Sequence, residues 1–198
     1  MQPDHTSVLN ILLIDDNESR ANAVKEALRA SRYRVKHLLS SGASLLKKVD
    51  ELQPDMIVID IESPDRDILD SLHMLSNFNP KPIVMFCETQ DSDFITQSVR
   101  SGVSAYVVGD TDQKRVRPIL DAALARFEEF HDMKKALEDT RSELASRKTI
   151  DQAKRLLMQK KQMTETDAFH AMRKMAMDSG QKIDEVAKTL LAMLKVLP

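Results

Sequence analysis

The chain has 198 residues, enough for one large domain or two small ones. Hydrophobic residues make up 42% and charged residues 30%, ordinary for a soluble globular protein, and no apolar run approaches the roughly 20 residues that span a bilayer. The net charge of −2 hides an asymmetry, because residues 141–198 carry 12 Lys and Arg against 7 Asp and Glu, while residues 1–140 carry 17 against 24. Only the basic back is suited to meet a polyanion. The lone Cys87 rules out an intrachain disulfide and a cysteine zinc site. The N-terminus has no basic stretch followed by an apolar one, so a cytoplasmic location is expected.

Strand and helix patterns alternate over the first 110 residues or so. Residues 11–14 form an apolar run that ends in Asp15 and Asp16, and residues 19–31 have helical spacing. Residues 35–39 read as a second strand and 42–52 as a helix. Residues 56–59 form a third strand, stopped by Asp60, and 68–78 are helical. Residues 82–86 give a fourth strand, 91–101 a helix and 105–108 a fifth strand. Continuous apolar strands between helices imply a parallel sheet covered on both faces. The count fits a flavodoxin-like doubly wound order, with its site at the carboxyl ends of the strands.

From residue 112 to about 161 no Gly interrupts, and Pro118 is the only proline, which a first turn tolerates. This stretch reads as one long helix, or as two with a break near Ser146. Ala123, Phe130, Leu137 and Leu144 recur every seven residues. The stretch is either a solvated connecting helix or a parallel dimeric coiled coil. The coiled coil is favoured, because an apolar seam on a long exposed helix needs a partner to bury it. Phe130, Leu137 and Leu144 are its candidate contacts.

In the tail, Thr164 to Asp167 looks like a capping box with Asp in place of Glu, and Gly180 lies where a helix C-cap is wanted. Ile183, Val186, Ala187, Leu190, Leu191 and Leu194 keep helical spacing. Met158, Met163, Met172, Met175, Met177 and Met193 are expected to fill the core. The result is an all-α bundle of three short helices behind an α/β domain.

Strands one and three are neighbours in a doubly wound sheet, so Asp15, Asp16 and Asp60 meet at one end. Three close carboxylates repel one another unless a divalent cation screens them, and an oxygen-only cluster suits Mg²⁺. A carboxylate beside such a metal is a plausible phosphoryl acceptor. This arrangement resembles the receiver domain of two-component response regulators over residues 8–125. The resemblance implies that Asp15 and Asp16 hold the metal and that Asp60 is the phosphoacceptor. Pro64 matches the usual proline four residues later, and Tyr106 the aromatic switch position. Two positions depart from the pattern. Cys87 stands where a Ser or Thr hydroxyl would bond the phosphate, and Gly109 where a Lys would pair with it. Both groups that read a phosphoryl signal are therefore missing. The expectation is a receiver that keeps its acidic pocket but answers to a bound partner protein, with residual phosphorylation at Asp60 as the other reading.

The segment from Ile150 through Ala153, Lys154, Arg155 and Leu157 to Met158 resembles the ANTAR domain, the RNA-binding module of bacterial transcription antiterminators. Ala168 and Phe169, Met172 and Arg173, and Ala176 and Met177 match its second helix, and Ile183, Val186, Ala187 and Leu190 its third. The likeness covers residues 133–196 and overlaps a connecting coiled coil at 126–148. Arg155 replaces a Gly usual in the family. Candidate RNA contacts are Lys154, Arg155, Lys160, Lys161, Arg173, Lys174, Lys182 and Lys188. Phe169 is the only aromatic residue after 130, so recognition by shape and loop backbone is expected rather than extensive base stacking.

The receiver-plus-ANTAR layout most resembles the NasT-like nitrate and nitrite assimilation antiterminators. That resemblance implies a dimer, a leader mRNA with two hairpin loops as target, and a nitrate-sensing protein that holds the regulator inactive. The alternative is a DNA-binding response regulator switched by phosphorylation of Asp60. Against it, Asp184 and Glu185 make the start of the last helix acidic, where a base-reading helix should present polar groups to DNA. No His/Cys cluster, nucleophile–base pair or glycine-rich phosphate loop points to an enzyme.

Overall fold

The computed structural model describes residues 7–39, 45–61, 66–109 and 112–196. Pro64 and the start of the helix expected from residue 42 lie outside the described residues. The chain separates into two compact units, Met1–His131 and Asp132–Pro198.

The first unit alternates β1 (Leu9–Asp15), α1 (Glu18–Leu28), β2 (Tyr33–Leu39), α2 (Leu45–Leu52), β3 (Met56–Asp60), α3 (Arg66–Phe78), β4 (Ile83–Cys87), α4 (Ser92–Arg100) and β5 (Ala105–Val108). The strands form one parallel sheet in the order β2-β1-β3-β4-β5. Every residue of β3 and β4 is buried, as their unbroken apolar runs require of strands covered on both sides. Ile11, Leu13, Met56 and Val58 pack on Val24 and Leu28 of α1 and on Val116, Leu120 and Ala123. Leu12, Ile57 and Ile59 face the other way, against Val49 of α2 and Leu72 and Leu75 of α3. Each such fully buried aliphatic side chain contributes about 1.5–3 kcal/mol of transfer free energy.

Helix α5 (Gln113–Lys161) runs unbroken through Ser146. Asp112 starts it, its Oδ1 accepting from Lys114 N–H and its carbonyl from Val116 N–H. Pro118 falls in the second turn, not the first, so the Lys114 carbonyl lacks its usual partner four residues on. Ala123 is buried in the receiver core. The exposed seven-residue series therefore begins at Phe130, which is 65% exposed, and continues through Leu137 and Leu144 at 51% and 61%.

The second unit adds α6 (Glu165–Ser179) and α7 (Ile183–Val196). Its core joins Ala153 and Leu157 of α5, Ala168 and Met172 of α6, and Ala187 of α7. Thr164 Oγ1 accepts from Asp167 N–H at 3.2 Å and donates to Asp167 Oδ2 at 2.7 Å. The shorter Asp side chain thus satisfies the threonine hydroxyl instead of reaching back to a backbone N–H. Gly180 closes α6 in the left-handed region with φ +64°. Met158, Met163 and Met172 pack in the core, but Met175, Met177 and Met193 are exposed. The buried face of α6 is Ala168, Met172 and Ala176; Met177 points away from it, whereas Met175, seven residues after Ala168, lies at its edge and is 44% exposed.

Gly102, between α4 and β5, has φ +102°, and a Cβ there would stand 2.5 Å from the Cβ of Ser76. Both the left-handed backbone and the close approach demand glycine. Gly102→Ala should lower stability by about 1–3 kcal/mol, read from the urea midpoint of the full chain. An unchanged midpoint would contradict this packing.

Candidate functional site

β1 and β3 pair in a register that sets Asp15 opposite Asp60 at their carboxyl ends. Asp15 is fully buried and Asp60 nearly so. Such burial is tolerable only if the carboxylates find donors or cations. Asn17 supplies the local geometry. Its side chain caps α1 by accepting from Ser19 and Arg20 N–H, and its own N–H donates to Asp15 Oδ1 at 2.7 Å. The cap fixes the first turn, and that turn carries Arg20.

Arg20 was not anticipated from the sequence. Its Nη2 donates to Asp15 Oδ1 at 3.2 Å and to Asp16 Oδ1, and its Nε lies 3.6 Å from Asp60 Oδ1. One guanidinium therefore engages all three carboxylates. The readable signal was the four-residue spacing from Asp16 to Arg20, across the Asn17 cap that starts α1. The His37 ring lies 3.3 Å from the Asp15 carbonyl.

The structure thus gathers the acidic triad, but around an arginine. Among the described residues, no group of three His, Cys, Asp or Glu side chains is placed to hold a metal ion. Mg²⁺ demands oxygen ligands at about 2.0–2.1 Å in octahedral array, and the Oδ1 atoms of all three aspartates already face Arg20. The residues as arranged do not fit Mg²⁺.

Cys87 is buried at the end of β4, where its Sγ accepts from Thr89 N–H at 3.4 Å. Tyr106 donates its hydroxyl to the Thr89 carbonyl at 3.0 Å and meets Phe94 edge to face, ring centroids 6.3 Å apart. Burial first, then the Cys87 thiol and the charge of Asp91, push the Tyr106 hydroxyl well above its ordinary range. Tyr106 is thus a neutral donor fixed to the β4–α4 loop. Gly109 N–H donates to the Cys87 carbonyl at 3.1 Å with φ +93°, a backbone that a lysine would adopt only under strain.

In the second unit, Arg155, Lys160, Lys161, Arg173, Lys174, Lys182 and Lys188 are exposed. Lys154 differs. Its Nζ meets Glu165 at 2.6 Å and Asp151 at 3.1 Å, so it ties α5 to α6. Hydrogen bonds to Glu165 first and to Asp151 next hold its ammonium above the usual range. Lys188 pairs with Asp184 at 3.3 Å while staying open to solvent. Phe169 is 40% exposed, and Arg173 follows it four residues later on the same side of α6. A ring beside a guanidinium can stack on an unpaired base.

Comparison with known proteins follows the same division. Residues 11–121 match the response regulator receiver domain and residues 138–191 the ANTAR domain. The transcriptional regulatory protein PdtaR of Mycobacterium tuberculosis is 26% identical over 184 residues, covering 93% of this chain and 90% of that one. Chemotaxis protein CheY of Listeria monocytogenes is 25% identical over 117 residues, 59% of this chain and 98% of that one. Among solved structures, a CheY-like receiver domain protein of Methanospirillum hungatei superposes with a TM-score of 0.54 at 19% identity, covering 62% of this chain and 98% of that one. A LuxR-family two-component response regulator of Aurantimonas gives 0.53 at 22% identity, covering 60% of this chain and 86% of that one. More than half of the chain matches the receiver family and an ANTAR domain follows, so it belongs to the response regulator receiver family as an ANTAR-type member.

Proposed function

We propose that the chain is an RNA-binding transcription antiterminator whose receiver is switched by a partner protein and not by phosphate. The observation that carries this reading is the ANTAR match on a three-helix unit with a net positive charge. Lysines and arginines on that unit suit RNA phosphates, and Phe169 with Arg173 adds one place where a splayed base can stack. The target is a leader mRNA with two hairpin loops, and bound protein favours an antiterminator structure over a terminator.

Two loops call for two bundles. The exposed seam of Phe130, Leu137 and Leu144 on α5 supports a homodimer, because three large apolar side chains at seven-residue spacing are otherwise left in water. Pairing the bundles raises the effective concentration for the second loop.

Phosphorylation has little to act on. Cys87 and Gly109 stand where a hydroxyl and a lysine would read a phosphoryl group, and charge-assisted hydrogen bonds of that kind contribute about 1.5–3 kcal/mol each. Their joint loss removes most of the roughly 5.5 kcal/mol that takes a two-state equilibrium from 1:99 to 99:1. The signal then enters through a protein that masks the receiver or the seam. By likeness to nitrate and nitrite assimilation antiterminators, that protein senses nitrate.

Three measurements test these points. The full chain should bind two-loop leader RNA far more tightly than duplex DNA of equal length. Arg173→Ala with Lys174→Ala should weaken binding and flatten its salt dependence by about one unit of slope per lost phosphate contact. Equal affinity for unrelated duplex DNA would sink the RNA reading. Leu137→Lys places a charge in the seam and should give monomers by sedimentation, and a wild type that is monomeric with and without RNA would contradict the dimer. Asp60→Asn should leave signal-dependent induction of a leader reporter intact. Loss of induction in a folded, expressed variant would make phosphate the switch.

A further inference from the structure

We propose that Arg20 is the resident cation of the acidic pocket, standing in for the divalent metal and keeping the receiver metal-free. The proposal deepens the phosphate-independent reading above and rests on it. It concerns how the pocket is held, not what the tail binds.

Position argues first. Arg20 is the third residue of α1, where a cation opposes the positive end of the helix dipole. An arginine without a task would point to water there. Instead its side chain is only 26% exposed and its guanidinium reaches carboxylates whose side chains are 0%, 9% and 42% exposed. The attraction to three aspartates outweighs the dipole and holds a long side chain in one geometry.

Exclusion follows from distance. A Mg²⁺ at about 2.0–2.1 Å from the Oδ1 atoms of these aspartates would lie almost on top of the Arg20 nitrogens. Two cations cannot share that space, so metal entry requires Arg20 to leave. Asp15 Oδ1 is committed further, since it also accepts from Asn17 N–H. The other oxygen, Asp15 Oδ2, is buried and accepts no hydrogen bond among the described residues. With Arg20 gone, a buried carboxylate would lose its cation and keep an unused oxygen, which a divalent cation can satisfy. Arg20 therefore decides which cation the pocket takes.

The test uses the full-length protein, wild type and Arg20→Met, the latter keeping most of the apolar stem. Mn²⁺ serves as a paramagnetic probe, followed through loss of the free-ion signal. Mg²⁺ is followed by thermal melting. Wild type should bind no Mn²⁺ in the micromolar range, and its Tm should not move with about 10 mM Mg²⁺. Arg20→Met should melt lower without metal, bind about one Mn²⁺ per chain, and gain about 3 °C or more in Tm with Mg²⁺. Saturable binding of one Mn²⁺ by wild type overturns the proposal and needs no variant to fold. A folded Arg20→Met that stays indifferent to both metals overturns it as well. Leader-RNA binding, measured on the same wild-type sample, separates the two readings. Its absence sinks the antiterminator assignment and leaves Arg20 in place, whereas metal binding by wild type sinks Arg20 alone.

Discussion

Everything at the carboxyl end of the sheet depends on the pairing of β1 with β3. That register sets Asp15 opposite Asp60. It is itself dictated by burial, since Ile11, Leu13, Met56 and Val58 must face one layer while Leu12, Ile57 and Ile59 face the other. A slip of one residue would turn every one of these side chains to the wrong layer. The core therefore decides that two carboxylates stand side by side in a place with little water. Their repulsion has to be relieved locally, and the Asn17 cap delivers the group that relieves it. The order of causes runs from hydrophobic pattern to strand register, then to buried charge, and last to the placement of Arg20.

Relief by arginine differs in kind from relief by a metal ion. A guanidinium stays protonated across the whole physiological range. Its presence does not depend on ion concentration, and it cannot exchange. A metal-held pocket is open to chemistry because the metal offsets charge building on a transferred group. In an arginine-held pocket that cation is spread over three carboxylates, so the pocket works as part of the scaffold. The other reporter positions fit this. The Tyr106 hydroxyl is held at the Thr89 carbonyl, the Cys87 thiol accepts from the Thr89 amide, and Gly109 offers no charge.

Most of the fold was legible in the sequence because its signals are local and repeated. The apolar runs of β3, β4 and β5 place these strands to within a residue, and Gly180 and Thr164 mark the ends of α6 where the structure has them. The differences arise where packing between elements decides what a local pattern leaves open. Ala123 fits a seven-residue series as text, yet packs in the receiver core. Met175 and Met177 are apolar, but Met177 faces away from the side that Ala168, Met172 and Ala176 bury, and Met175 lies exposed at its edge. For Lys154, a candidate RNA contact, the pairing with Glu165 of α6 was not legible in the sequence. Arg20 is the most consequential case. Composition marks it as one charge among many on α1, and only the cap, the turn and the strand register together aim it at three carboxylates.

The same reasoning limits where a signal can enter. On the proposed reading, the receiver, with its own cation in the pocket and Cys87 and Gly109 at the phosphate-reading positions, takes no phosphate signal at the usual end of the sheet. What it retains is surface. Phe130, Leu137 and Leu144 lie exposed along α5, and isolated apolar side chains of that size at seven-residue spacing are costly to leave in water. Covering them with a second copy or with an inhibitory protein are competing ways to remove the same area, and competition for one seam is a switch that needs no covalent chemistry. If, as proposed, a partner protein covers the seam, the two bundles of the proposed dimer lose their link, and affinity for paired loops falls although no RNA contact has changed. On the proposed reading, regulation by masking goes with Cys87 and Gly109, which offer neither a hydroxyl nor a lysine to a phosphoryl group.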